Sequence, residues 1–306
     1  MPQFLLLDIR TLFHQLLHGR MTDKKEIYGF MASKSDIKHT AKILHYPCGI
    51  MDIIASSNLD FAPSGWEEAG WRKPALPTTP TDKQERRTSD PEGEDLLRSM
   101  RRAKSKLRKI ALANDFRYFV TLTLDPAKVD TVAGSEVVKK LNSWCSNAVQ
   151  RYGLKYILVP ERHKKGGIHF HGFFNDALPV VDSGTLRPPK GGKPRKPRSK
   201  AERQRWLQEG WTLVYNLPAW TLGFTTALEL YGEYPAAVAY VCKYIGKDGQ
   251  KPAGRWYYSG GALAQPKAQY VDISPRELLE EYGEKAYSLA VPGKTMVIVN
   301  GIREEK

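Results

Sequence analysis

The stretch LKYILVPERHKKGGIHFHGFFND, residues 154–176, decides how this chain is read. Two strand-like runs, 154–163 and 168–176, flank a KKGG segment, which is a hairpin signal. Alternate side chains of a strand share a face, so His169 and His171 point to the same side of the sheet. Two imidazoles side by side burden a half-buried strand unless something uses their nitrogens. Whether Glu161 joins them depends on the register. If Glu161 faces His171 and His163 faces His169, the loop has odd length, such as Lys165-Gly166-Gly167 with a glycine at positive φ. An even loop would turn Glu161 to the other face. Glu161, His169 and His171 together would make an open site for six-coordinate Mg²⁺ or Mn²⁺, with places left for water and a phosphate oxygen. His163 is a possible auxiliary ligand.

Upstream, YFVTLTLD (118–125) alternates Val120, Leu122 and Leu124 against Thr121 and Thr123 and is closed by Pro126. A helix is expected over 135–151. Downstream, WTLVYNL and TLGFTTALEL read as two more strands, followed by a helix at about 234–247. RWYYSGG and a C-terminal helix, SPRELLEEYGEKAY, come after it.

The 234–247 helix carries YVCKYIGK, with Tyr-x-x-Lys twice: Tyr240-Lys243 and Tyr244-Lys247. Tyr240 and Tyr244 are i and i+4, on one face and about 6 Å apart along the axis. A phenol with a pKa of about 10 is a poor nucleophile at neutral pH. A nearby ammonium and a metal-bound phosphate both favour its attack. Tyr240 is the preferred nucleophile, because Lys243 lies within the helix while Lys247 follows Gly246, where the helix should end.

Charge points to a polyanionic partner. Among 306 residues, 47 Lys and Arg oppose 33 Asp and Glu, a net charge of +14, and phosphates neutralised by such side chains release counterions. A basic helix is expected over 96–112, with Arg101, Lys104 and Arg108 as DNA contacts. From 187 to 205, nine basic residues oppose one acid, Glu202. The segment 182–205 reads as a disordered basic loop, with Lys193, Arg195, Lys196 and Arg198 as further DNA contacts.

Cys48, Cys145 and Cys242 are far apart and form no CxxC pair, so neither a disulfide framework nor a thiolate zinc site is expected. No run reaches the roughly 18 apolar residues of a membrane span, and MPQFLLLDIR lacks a basic leader region, so a cytoplasmic protein without membrane partners is expected. The expected organisation is an N-terminal segment of unassigned role (1–61), a flexible linker (62–95), a catalytic domain (96–275), and a C-terminal helix and tail (276–306).

In order and spacing, FVTLTLD (119–125), VPERHKKGGIHFHGFF (159–174) and AVAYVCKYIGKD (237–248) resemble the three motifs of the HUH endonucleases. Within that superfamily they are most similar to the rolling-circle replication initiators of phages and plasmids. The resemblance implies an α+β fold, with a central antiparallel sheet of about five strands and flanking helices. It implies metal-dependent nicking of single-stranded or hairpin origin DNA, a 5′-phosphotyrosine link and a free 3′-hydroxyl. SLAVPGKT (288–295) has Ser288 where a phosphate loop needs its first glycine, so no nucleotide cofactor is expected and unwinding would fall to a host helicase. The rival with the same chemistry is a two-tyrosine transposase. A rival of another class is a non-catalytic nucleic-acid-binding module, which would carry stacking aromatics on its central strands.

Overall fold

A computed structural model describes residues 38–62 and 92–303, apart from 164, 165, 231, 233, 248 and 292. Most of the expected linker and the first 37 residues therefore lie outside the described residues. The chain runs β1 (Ala41–Tyr46), β2 (Ile50–Ser56), α1 (Glu92–Leu112), β3 (Tyr118–Leu124), α2 (Gly134–Tyr152), β4 (Tyr156–Arg162), β5 (Ile168–Phe174) and β6 (Val181–Arg187). It continues with α3 (Lys200–Gln208), β7 (Thr212–Asn216), β8 (Gly223–Glu229), α4 (Tyr234–Tyr244), β9 (Tyr258–Gly260), β10 (Lys267–Val271), α5 (Pro275–Tyr282), β11 (Ala286–Val291) and β12 (Lys294–Arg303).

The fold is α+β, but it has two antiparallel sheets rather than one of about five strands. The larger sheet has seven strands in the order β6-β7-β8-β3-β5-β4-β9. Its five middle strands are the five expected from periodicity; β6 and β9 extend the edges. The segment 182–205, expected to be a disordered loop, supplies β6 and the start of α3 instead. Its low apolar content hid this. Of β6 only Leu186 is buried, and α3 buries no residue, being started by Ser199, whose hydroxyl accepts a hydrogen bond from the Glu202 N–H.

The second sheet, of five strands in the order β10-β1-β2-β12-β11, joins chain segments from both ends of the described region. Ala41, Ile43, Ile53, Ala55, Val297 and Val299 form its apolar core, with Leu278 of α5 among them. The stretch 288–295 falls in the β11–β12 hairpin, two antiparallel strands rather than a strand, loop and helix. Ser274 and Glu277 cap α5 reciprocally, with Pro275 in its first turn.

Both faces of the larger sheet are covered, though unequally. On one face α2 buries Val137, Leu141 and Cys145 against Val120, Leu122, Leu158 and Phe170. On the other, α1 and α4 bury Leu107, Ile110, Val238 and Val241 against Ile157, Val159 and Phe173. These last three belong to β4 and β5, so the helices roof that half of the sheet. The same face of β8 stays open, with Phe224 and Thr226 exposed. Pro160 is tolerated in β4 because β9 pairs only with residues 156–158, so no partner strand needs its missing N–H on that side.

Candidate active site

The β4–β5 hairpin sets the site. Glu161 faces His169 and Val159 faces His171. Two backbone hydrogen bonds close the turn, from the His163 N–H to the Gly167 carbonyl and from the Gly166 N–H to the His163 carbonyl, each 2.7 Å. The loop between them has odd length and Gly166 has φ +92°, as a same-face arrangement requires. The register differs from the expected one by a step of two, so Glu161 rather than His163 is the direct neighbour of His169. The carboxylate nevertheless reaches His171 diagonally: Glu161 Oε2 lies 2.8 Å from His171 Nε2. His163 is exposed, and its ring stacks on His169 at 5.2 Å.

The next strand, β3, orients both imidazoles. Thr121 faces His171 and Thr123 faces His169. Thr121 Oγ1 lies 3.1 Å from His171 Nδ1, and Thr123 Oγ1 lies 3.2 Å from His169 Nδ1. Each Nδ1 is thus engaged by a hydroxyl. That pattern fixes ring orientation from behind, as in metal sites where a polar partner holds the ring, and turns the His171 Nε2 towards Glu161. Nothing in the motif strings themselves assigns the threonines, although their alternation in YFVTLTLD placed both on one face. Burial lowers the pKa of both histidines, and His163 adds to the effect at His169; for His171 burial outweighs the opposing pull of Glu161.

Helix α4 brings the tyrosines over this face. The Tyr244 ring stacks on His171 at 4.3 Å, with planes 16° apart. Tyr240 packs edge-on against Phe119 at 5.9 Å. The Tyr244 hydroxyl donates to the Tyr240 oxygen at 2.7 Å, so the two phenol groups meet at one point. Burial and this hydrogen bond raise the pKa of Tyr244 well above the ordinary phenol value, while the charge of Arg187 on β6 opposes them.

The helix ends at Tyr244, three residues earlier than expected, and Gly246 takes φ +78° immediately beyond. Lys247 therefore lies past the helix, yet it is the lysine that reaches the site, pairing with Glu161 Oε1. Lys243, within the helix, is exposed. Glu161 accordingly accepts from both His171 and Lys247. Among the described residues, no three His, Cys, Asp or Glu side chains stand already gathered as metal ligands.

The residues expected to touch DNA are distributed over two elements. Arg101 is exposed on α1, and the backbone carbonyl of Lys104 lies 3.9 Å from Cys242 Sγ. Arg108 is committed elsewhere: its guanidinium forms a bidentate pair with the buried Asp52 of β2. Lys193, Arg195, Lys196 and Arg198 are exposed between β6 and α3, where Arg195 forms a backbone bridge with Leu186.

What these pieces make is an α+β domain with a His/Glu/Tyr face on an antiparallel sheet. Residues 117–249, from β3 through the tyrosine helix, match the model of the replication-associated protein ORF2/G2P family. No curated protein and no solved structure matches the chain. The match supports a replication-associated, Rep-type protein with a role in DNA replication. Among the described residues, no helix is long and apolar enough to cross a membrane.

Proposed function

We propose that this protein is a rolling-circle replication initiator of the HUH endonuclease type, which nicks single-stranded origin DNA and becomes linked to its 5′ end. The observation that carries this is that His169, His171 and Glu161 share the sheet face on which helix α4 carries two phenol hydroxyls, within the segment similar to replication-associated proteins.

The donor set fits Mg²⁺ or Mn²⁺: two Nε2 atoms held from behind by Thr121 and Thr123, and a carboxylate beside them. Such a metal would supply Lewis-acid polarisation of a phosphate oxygen. His169, His171 and Glu161 would hold it, and Lys247 would exchange its pairing with Glu161 for the incoming phosphate. Tyr240 is the principal nucleophile. It is 43% exposed, whereas Tyr244 is buried more deeply and spends its hydroxyl hydrogen on the Tyr240 oxygen. The Tyr240 oxygen forms a bond to phosphorus as the P–O3′ bond breaks. The phenol proton leaves to solvent and the departing 3′-oxygen takes one up, leaving a free 3′-hydroxyl. The phosphotyrosine conserves the phosphodiester for later rejoining. Because the two hydroxyls are 2.7 Å apart, only one attacks a given phosphate at a time; Tyr244 serves a second transfer.

The test is incubation of the full chain with labelled single-stranded origin DNA and Mn²⁺, resolved on denaturing gels. A covalent protein–DNA band is expected. Tyr240→Phe should lose the first nick, and Tyr244→Phe should nick once without transferring the strand. A double Phe variant that still forms the band would end the covalent reading, and full initial nicking by Tyr240→Phe would exchange the two roles.

A further inference from the structure

We infer that the open half of the larger sheet is a stacking platform for single-stranded DNA, with the ring of Phe224 receiving a base next to the scissile phosphate. The inference rests on the nicking reading above and adds the path of the strand.

The registers place four residues in one row across four strands. Glu161 of β4 faces His169 of β5, His169 faces Thr123 of β3, and Thr123 faces Phe224 of β8. Facing residues share a sheet side, so the Phe224 ring stands on the histidine face. Two strand spacings, about 10 Å, separate it from His169. That is within reach of a nucleotide adjoining a phosphate held at His169 and Glu161.

Phe224 is 67% exposed, more than any other large hydrophobic side chain among the exposed ones of the described chain. The neighbours on its face are Thr123, Thr121 and Thr226, whose short side chains leave the ring open. The register of β7 with β8, Tyr215 facing Ala227, ends β7 before it could flank Phe224. Helices α1 and α4 roof β4 and β5, on the other side of the histidines.

A single exposed apolar residue needs no explanation by itself. This one sits in the row of the candidate catalytic residues, on a strand whose other face puts Ala227 into the core, in a chain of net charge +14. A flat ring beside a phosphate site in a basic protein is what an unpaired base uses, and stacking tolerates any base because each has a π-face. Protein partners would instead need a larger apolar patch than one ring set among threonines.

The test compares full-chain protein binding to two fluorescent probes in EDTA, where cleavage is off: oligothymidylate, and an abasic deoxyribose-phosphate oligomer of equal length. Phe224→Ala should weaken oligothymidylate binding about tenfold, as loss of one stacked base does, and leave abasic binding unchanged. Phe224→Trp should keep the affinity, while Phe224→Leu, apolar but without a π-face, should not. Equal loss on both probes, no loss on either, or full affinity in Phe224→Leu would overturn the platform. The covalent-product assay separates this from the parent reading. If wild-type protein nicks and Phe224→Ala binds both probes normally, the platform alone falls. If the binding pattern holds but no covalent product forms, the nicking falls and the platform stands.

Discussion

Beside each sheet a carboxylate, a cation and a tyrosine come together, and the fates of these two clusters differ. In the five-stranded sheet, Asp52 is fully buried. It accepts from both Arg108 guanidinium nitrogens, from the Tyr46 hydroxyl at 2.7 Å, and from the Gly301 N–H at 2.8 Å, which a bulge in β12 turns towards it. Every partner is supplied by the protein, and Tyr46 is driven far above the ordinary phenol pKa by burial and by Asp52. In the seven-stranded sheet, Glu161 is 16% exposed and its partner Lys247 is 57% exposed. Its contacts are with groups that can let go. The lesson is that residue type does not distinguish a structural pin from a reactive centre; access to solvent and exchangeable partners do.

Removing one charge from each cluster gives the largest contrast. Asp52→Asn should cost about 3 kcal/mol, because it strands the Arg108 charge in a largely buried site. Glu161→Gln should cost under about 1 kcal/mol, since its ion pair is half in solvent. Urea unfolding midpoints read both, and equal losses would erase the distinction. In the other direction, His169→Ala or His171→Ala should reduce metal-dependent covalent product by about 100-fold or more, the scale of losing one electrostatic contact to a reacting centre. Tyr46→Phe should leave that product unchanged and cost about 1 kcal/mol of stability. A double histidine variant that cleaves with normal metal dependence would remove the site from the reaction.

A finer contrast lies in the threonines behind the rings. Thr121→Val and Thr123→Val keep shape and remove the hydroxyl, and each should weaken Mn²⁺ dependence of cleavage about tenfold. Titrating cleavage against Mn²⁺ checks this; unchanged midpoints would make the hydroxyls bystanders. The smallest effect concerns pH in metal-free protein. Both histidines have lowered pKa values in the fold, so the unfolded chain takes up protons first as pH falls. Their contribution to stability is complete above the unfolded value of about 6.5 and is lost as pH falls through the lowered folded values. Ring-proton NMR should show both titrating below that value, and His171→Ala should flatten part of the stability loss on acidification.

Much of the larger sheet was legible because strand periodicity is local. Alternation in 118–124 and 168–174 showed which side chains share a face, and the five strands read that way are its five middle strands. The i, i+4 spacing of Tyr240 and Tyr244 likewise foretold one helix face. The pairing of Glu161 was less legible, because odd loops of different placement all keep it on the histidine face while changing its neighbour. Lys247 lies past the helix end, as expected, but its reach was not legible: a residue beyond a helix end looks loose in sequence, whereas here the Glu161 carboxylate of β4 holds it. Arg108 looked like one basic residue among several on α1 until the structure supplied its partner, 56 residues away.

Taken alone, the sequence determined the faces of individual strands and helices, the polyanion-seeking charge, and the residue types able to hold a metal and attack a phosphate. Tertiary structure alone decided that residues 41–56 and 267–303 form a second sheet, which half of the larger sheet stays open, and which cation belongs to which carboxylate. The physical reason is range. Side-chain direction is set by backbone geometry over a few residues, whereas a contact such as Asp52 with Gly301, 249 residues apart, depends on competing packings of the whole chain that no short window records.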